Sequence, residues 1–179
     1  MGEVSVDCGE VEEILTPEDI VKLNRLVTEP GSFEEEVSLG EEEPVQIEVG
    51  HSPELEFSRE EDYHEVGNEG ILETLVYTKL PHICGENSDA LWLSSIIMYH
   101  IAENQAFYEG NKRTAYLSGA LFFVKAQLIQ RDQAVYPILD KALTRKLSRA
   151  ATRRIDQEDL YGYLLEVLGG ELEKISSMQ

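Results

Sequence analysis

Hydrophobic residues recur along the first part of the chain at the spacing of an amphipathic helix. Ile20, Leu23 and Val27 lie three or four residues apart and therefore share one helical face. The preceding stretch, Thr16–Asp19, has a capping hydroxyl, a proline suited to the first helical position and two carboxylates at the positive end of the helix dipole. The pattern predicts a helix that starts there and ends near Val27, before Pro30.

Helical periodicity resumes near Asn68 and continues almost to the end of the chain. The first of these predicted helices has an apolar face at Ile71–Val76 and stops before Pro81, and the second is a long helix from caps at Asn87–Asp89 to about Glu103. The third, from Asn111 to about Leu128, is apolar on nearly all sides and is therefore expected to be central. Pro137 begins the fourth, and the last starts at Asp156 and ends at Gly169-Gly170. The alternating stretch Val45–Val49 predicts a strand or one arm of a hairpin. The predicted fold class is therefore all-α, a bundle of about six helices with one small β element.

The charge of the chain is concentrated in its first two fifths. Of the formal net charge of −20, residues 1–70 carry −19, from 22 acidic and three basic side chains. A protein this acidic is expected to repel nucleic acid, although the basic run Lys141–Arg154 leaves a local face for one phosphate or one acidic partner. The asymmetry predicts an acidic N-terminal extension (1–14), a near-neutral helical domain (15–168) with an acidic insertion at about 31–66, and a C-terminal tail (169–179).

The remaining composition predicts a cytoplasmic protein without a membrane segment. No apolar run approaches the roughly 18 residues of a membrane helix, and the first residues lack the basic and apolar pattern of a signal peptide. Cys8 and Cys84 fit neither a disulfide framework nor a metal site, and we expect both to be inert thiols in a reducing compartment.

The residues just before the predicted central helix carry the candidate chemistry. Gly110 permits a tight turn, and Asn111 can cap the helix that follows. Lys112 and Arg113 then fall in its first turn, where the helix dipole disfavours cations unless an anion binds. Free N–H groups, the positive dipole and two cationic side chains together favour a phosphate, and Glu109 beside them can hold the accompanying Mg²⁺. The alternative is a solvated Lys-Arg pair on a surface helix.

The stretch Phe107–Ala115 resembles the signature of the Fic/Doc family, in particular its Doc branch, written roughly H-x-F-x-[DE]-[AG]-N-K-R-T-A. Leu15–Ile20 is similar to the opening of Doc proteins and Asn68–Glu73 to their next element, so the resemblance covers most of residues 15–168. It implies transfer of part of a nucleoside triphosphate to a protein hydroxyl. Fic proteins usually transfer AMP, whereas Doc toxins phosphorylate a translation elongation factor. ATP and Mg²⁺ are the implied ligands, and an antitoxin protein is an implied partner.

The resemblance also implies a role for each motif residue. Phe107 would anchor the loop in the core, and Glu109 would bind the metal. Lys112 stands where AMP-transferring members typically have glycine, which favours the phosphotransfer of the Doc branch. Phosphate oxygens would be held by the backbone of Gly110 and by Asn111, Lys112 and Arg113.

One motif position departs from the family pattern, because Gln105 stands where the family has its general-base histidine. A carboxamide can position a hydroxyl but cannot accept its proton. Three interpretations follow: a natural pseudoenzyme, a toxin disabled by substitution, or an enzyme in which another group is the base. We expect His100 to be a packed core histidine and not that base. The alternative functions are a non-catalytic nucleotide- or protein-binding module of the same fold and a Fic-type AMP transferase.

The acidic insertion at 31–66 allows two hypotheses. In one, it folds over Lys112 and Arg113 and competes with nucleotide through its negative charge. In the other, which we favour, it is a solvated loop that only aids solubility.

Overall fold

The computed structural model describes residues 4–28 and 68–178, and most of these residues are helical. The helices, in chain order, are α1 Val11–Ile14, α2 Pro17–Thr28, α3 with the successive parts Glu69–Glu73, Thr74–Lys79 and Leu80–Glu86, α4 Ala90–Asn104, α5 Asn111–Gln130, α6 Lys141–Ala151 and α7 Gln157–Ser177. The described ranges contain no β-strand, so the all-α prediction is confirmed. The strand predicted at Val45–Val49 lies outside the described residues, as does the acidic insertion. None of the helices above is both long and apolar enough to cross a membrane.

Helices α4 and α5 form the centre of the fold and share its most extensive helix–helix contact. Every residue from Leu93 to Ala102 in α4 is buried. At Gly119 of α5, an added Cβ would lie 2.4 Å from Cγ of Met98 and 2.9 Å from the carbonyl oxygen of Ser94. Only glycine therefore allows the two helices to approach so closely, and α5 is central as its apolar pattern predicted.

Helix α2 packs against α5 and has the predicted start. The backbone N–H of Asp19 donates to Oγ1 of Thr16 over 3.1 Å, and the N–H of Thr16 donates to a carboxylate oxygen of Asp19 over 3.0 Å. This reciprocal pair satisfies two backbone donors at the helix start. Ile20 and Val27 are buried, and α2 ends at Thr28, one residue beyond the predicted end.

The predicted stop before Pro81 is wrong, because Pro81 lies inside α3. The residues just before it, Thr74–Lys79, form a π-helical turn in which the backbone N–H of Leu80 donates to the carbonyl of Leu75. A proline has no N–H, and in an α-helix its ring collides with the carbonyl four residues earlier. The wider π turn changes that register, so the helix continues past the proline to Glu86.

The predicted helix start at Pro137 is also wrong, because α6 begins at Lys141. Asp140 caps this helix by accepting a hydrogen bond, 2.7 Å long, from a backbone N–H of the first turn. The stretch before it is held in a non-helical conformation by the buried side chain of Gln127 on α5. Its Nε2 donates to the carbonyl of Val135 over 2.6 Å, and its Oε1 accepts from the Val135 N–H over 3.0 Å.

The predicted end of the last helix at Gly169-Gly170 is wrong as well, because α7 continues to Ser177. Leu168 and Leu172, four residues apart on either side of the glycines, are both buried. Burial of this apolar pair outweighs the low helix propensity of two glycines. Most of the stretch expected as a C-terminal tail therefore extends the helix.

The N-terminal residues, expected as an acidic extension, contribute to the core. Val4 and Val6 are buried, and their backbone pairs with the residues that precede and open α4. The N–H of Val6 donates to the carbonyl of Ser88 over 2.8 Å, and the N–H of Ala90 donates to the carbonyl of Val4 over 2.7 Å. The alternation of apolar and polar residues at this end therefore serves packing against the helical body.

Cys8 and Cys84 form a disulfide, so the expectation of two inert thiols is wrong. The two residues are 76 positions apart in sequence, yet their Cα atoms lie 5.6 Å apart because the N-terminal segment runs beside the end of α3. Disulfides persist mainly in oxidising compartments, and the cytoplasmic location stays a prediction.

Candidate functional site

The candidate site lies in the short connection between the two central helices. Helix α4 ends at Asn104, and Gln105 follows in the left-handed conformation with φ of +49°. The chain turns again at Gly110, with φ of +73°, and α5 starts at the next residue. Two left-handed residues thus bracket the connection and direct it from one helix into the other.

Phe107 and Asn111 fix the conformation of this connection. Phe107 is buried in the core, as expected. Its backbone N–H donates to Oδ1 of Asn111 over 2.9 Å, and its carbonyl accepts from Nδ2 of Asn111 over 2.8 Å. Asn111 was expected to cap α5, but Gly110 occupies the cap position and the Asn111 side chain reaches back across the loop. The oxygen and the nitrogen of the carboxamide are therefore both already hydrogen-bonded within the loop, and phosphate binding by Asn111 stays a prediction.

Gly110 is required by its surroundings as well as by its positive φ. An added Cβ would lie 3.0 Å from Cγ2 of Thr28, 3.0 Å from Cγ2 of Val27 and 3.2 Å from Nδ2 of Asn24. The last two turns of α2 therefore pack directly against the residue that opens α5. The sequence predicted the tight turn but not this close approach.

The two motif cations have different environments. Lys112 is exposed at the first turn of α5, whereas Arg113 is 9% exposed. The Arg113 guanidinium donates to the carbonyl of Val27 over 3.3 Å, at the negative end of the α2 dipole. Burial lowers the pKa of Arg113, and the nearby Glu109 carboxylate opposes that shift. The cost of a cation at the start of α5 is thus partly offset by α2, a contribution that the sequence did not reveal.

Glu109 is the carboxylate nearest the start of α5 along the chain. Its side chain is half-buried, and its backbone carbonyl accepts a hydrogen bond from Nδ2 of Asn24 over 2.8 Å. Residues 4–28 and 68–178 contain no group of three or more His, Cys, Asp or Glu side chains arranged to hold a metal. One carboxylate still suits Mg²⁺, which usually binds through one or two carboxylates, substrate phosphates and water. The described residues therefore fit a metal that arrives with a nucleotide.

His100 is the core histidine that the sequence predicted. It is 8% exposed, its Nδ1 lies 3.2 Å from Nζ of Lys79, and its Nε2 lies 3.3 Å from the carbonyl oxygen of Ile71. The pattern assigns the proton of the neutral ring to Nε2. Burial, with a further contribution from the Lys79 charge, lowers the pKa of His100 to about 4. Both ring nitrogens are thus engaged, which is the environment of a packed core histidine.

The shifted pKa of His100 predicts acid sensitivity of the fold. In the unfolded chain the imidazole takes a proton near pH 6.5, whereas in the folded protein it does so only near pH 4. Protonation thus favours the unfolded state as the pH falls between these values, and we expect a loss of about 2–3 kcal/mol of stability from this residue. Urea unfolding at pH 7 and pH 4.5 measures this loss of stability, and the His100→Gln variant should not show it. His82→Gln, at an exposed position, is the matched control. Equal pH dependence in all three proteins would contradict the assignment.

Asn24 is the site residue that sequence reasoning missed. It is 1% exposed, and its Nδ2 donates to the Glu109 carbonyl over 2.8 Å and to Oγ1 of Thr114 over 3.1 Å. One signal was present, because Asn24 lies four residues after Ile20 and three before Val27, on the predicted apolar face of α2. A polar side chain on a buried face needs a hydrogen-bond partner, but the sequence does not say which one.

No protein-family model matches the chain, and neither the curated proteins nor the solved structures contain a match. The described residues define an all-α protein whose central helix starts at a glycine turn, beside one exposed lysine and one buried arginine. The motif resemblance and this geometry together are the basis for a functional proposal.

Proposed function

We propose that the chain is a Doc-like member of the Fic/Doc family that binds ATP·Mg²⁺ at the start of α5. The activity proposed for the fold is transfer of a phosphoryl group to a protein hydroxyl, and Gln105 leaves that transfer inactive or strongly impaired. The observation that carries the proposal is the first turn of α5, where a glycine turn, the backbone donors and the exposed Lys112 coincide.

The backbone supports phosphate binding at this turn. The first hydrogen bond within α5 runs from the N–H of Thr114 to the carbonyl of Gly110 over 2.9 Å. The N–H groups of Asn111 and Lys112 precede it, at the first positions of an α-helix, where backbone N–H groups find no acceptor within the helix. They lie at the positive end of a helix of 20 residues, where an anion is stabilised by the dipole and by direct N–H donation.

The side chains add charge and metal binding to that site. Lys112 is exposed and can donate to phosphate oxygens, and the buried Arg113 next to it adds positive charge. Glu109 would hold the Mg²⁺ that neutralises the phosphates. Bound ATP would supply the phosphoryl group. Lys112 in place of glycine favours phosphoryl transfer over transfer of AMP, by resemblance to the Doc branch.

Gln105 determines how far the chemistry can proceed. The residue is exposed at the end of α4, and its side-chain oxygen can accept a hydrogen bond from an incoming hydroxyl. It cannot take the proton, so an attacking hydroxyl stays a poor nucleophile. The protein as written would then bind nucleotide with little turnover. An antitoxin and a translation elongation factor are the partners proposed by resemblance, in the cytoplasm.

A non-catalytic binding module is the second candidate function. It is favoured by the absence of a base at Gln105 together with the engagement of both His100 ring nitrogens. In this case the nucleotide would be a bound ligand and not a substrate. Both candidates require the phosphate site, so a binding experiment comes first.

We expect Lys112→Ala to weaken ATP·Mg²⁺ binding at least tenfold at low salt, because a charge-assisted hydrogen bond contributes about 1.5–3 kcal/mol. Isothermal titration calorimetry measures the change. Lys125→Ala is the matched control, since Lys125 lies on the same helix, about 20 Å along its axis, and is partly exposed. Arg113→Ala is a less clean test, because it also removes the contact to Val27. Equal affinity in Lys112→Ala and the unaltered chain, or no binding by either, would contradict the proposal.

A further inference from the structure

The buried Asn24 side chain connects α2 to both ends of the proposed phosphate-binding turn. One hydrogen bond from Nδ2 goes to the Glu109 carbonyl, immediately before Gly110, and the other goes to Oγ1 of Thr114, immediately after Arg113. The four residues between these two acceptors are those proposed to hold phosphate. A single amide group therefore fixes the two ends of that segment relative to each other.

Asn24 is itself held firmly in place. The residue is 1% exposed, and its backbone carbonyl accepts a hydrogen bond from Oγ1 of Thr28 over 2.8 Å. Its Nδ2 also lies 3.2 Å from where a Cβ of residue 110 would be. The buried side-chain amide of Asn24 is shielded from water, so both N–H groups of its Nδ2 need an acceptor. The Glu109 carbonyl and Oγ1 of Thr114 are these acceptors.

The contact to Glu109 has a consequence for the metal. Because Asn24 fixes the backbone carbonyl of Glu109, it limits the rotation of that peptide and so the position from which the Glu109 side chain extends. The contact to Thr114 limits the first turn of α5 in the same way, and hence the direction of the N–H groups before it. A displacement of these donors by about 1 Å would take an N–H···O contact beyond hydrogen-bonding distance.

We propose that Asn24 is a positioning residue of the phosphate site, which fixes the backbone of Glu109 and the first-turn N–H groups of α5 without touching the ligand. This inference rests on the proposed function. It assigns to α2 a part in ligand binding, although the motif itself lies more than 80 residues further along the chain.

Asn24→Leu tests the inference, because leucine has a similar volume and no donor. We expect ATP·Mg²⁺ affinity, measured by calorimetry under conditions where circular dichroism shows the variant folded, to fall at least tenfold. The matched control is Gln127→Leu, which removes another buried carboxamide from the far end of α5. It should lower stability while affinity stays within twofold. A folded Asn24→Leu variant that binds within twofold of the unaltered chain overturns the inference.

Two further measurements keep the test decisive. If Asn24→Leu does not fold, Thr114→Val removes one of the two acceptors and should weaken binding threefold to tenfold, and a change below twofold overturns the inference. If the unaltered chain does not bind ATP·Mg²⁺, the proposed function fails, and hydrogen exchange then tests Asn24 separately. The Thr114 amide should exchange at least tenfold faster in Asn24→Leu, while the Arg131 amide at the other end of α5 changes little. Equal acceleration at both amides would show a general loss of stability and would overturn the positioning role.

Discussion

Replacing Gln105 by histidine should raise the rate of phosphoryl transfer from ATP to a protein hydroxyl by about 10²–10⁴, the usual contribution of a general base. An imidazole at this position can accept the proton of an attacking hydroxyl, which the carboxamide cannot do. The backbone permits the change, because Gln105 has φ of +49° and histidine is among the residues that adopt this conformation comparatively often. Incorporation of labelled γ-phosphate into proteins of a cell extract measures the gain, and slowed growth on expression is an independent readout.

Two variants control this experiment. Gln105→Asn keeps a carboxamide and should stay as inactive as the unaltered chain. Lys112→Ala combined with Gln105→His should lose most of the gained activity, because the phosphate would be held less well. A Gln105→His variant that binds ATP·Mg²⁺ but labels no protein would exclude a missing base as the reason for inactivity. The non-catalytic module would then be the better account.

Gly110→Ala should destabilise the protein by about 2–5 kcal/mol. A left-handed conformation costs an alanine about 1–2 kcal/mol, and overpacking against Val27 and Thr28 typically adds about 1–3 kcal/mol. For a chain of this size, that corresponds to a fall in Tm of roughly 4–20 °C. Since the new Cβ would also displace α2 from the turn, we expect ATP·Mg²⁺ binding to be lost in any protein that still folds.

Gly162→Ala is the matched control for this prediction. Gly162 lies within α7, and an added Cβ there would meet no atom within 4 Å. Because alanine has the higher helix propensity, this variant should be slightly more stable, by about 0.5–1 kcal/mol. Thermal unfolding of the two variants compares them directly. Equal melting temperatures of the Gly110→Ala and Gly162→Ala variants would contradict the close approach of α2 to Gly110.

The sequence predicted those elements whose signals are local. The capping residues Thr16 and Asp19 define the start of α2, Asp89 caps α4, and the apolar pattern of α5 identifies the central helix. In each case the side chain that determines the element lies within it or next to it. Such elements can be recognised without knowing what they pack against.

The error at Pro81 is local, because a π-helical turn directly before the proline accommodates it. Other errors have a different cause, since contacts with distant parts of the chain decide them. Helix α7 passes two glycines because Leu172 is buried in the core. Cys8 meets Cys84 only after the N-terminal segment has packed beside α3. The helix propensity of single residues is weaker than such tertiary contacts. No pattern in the sequence indicates which distant residues will be in contact.

The candidate site also has one part that the sequence predicted and another that depends on distant contacts. The motif residues are contiguous, so the sequence alone identified the glycine turn and the two cations. It did not show that Arg113 contacts the end of α2, that Asn111 bonds back to Phe107, or that Asn24 supports the turn from beneath. These contacts give the site its shape. They show that Lys112 and Arg113 are not an equivalent pair, since Lys112 is exposed and Arg113 is buried against the end of α2.

The most direct test of phosphate binding at the start of α5 is an NMR titration of the isotope-labelled chain with ATP·Mg²⁺ at low salt. We expect saturable shifts of the backbone amide signals of Gly110–Arg113, with smaller shifts at Asn24 and Glu109. Lys112→Ala should need at least tenfold more ATP·Mg²⁺ to produce them. Shifts confined to the basic run Lys141–Arg154, or no shifts at any concentration, would contradict the claim that the start of α5 binds phosphate.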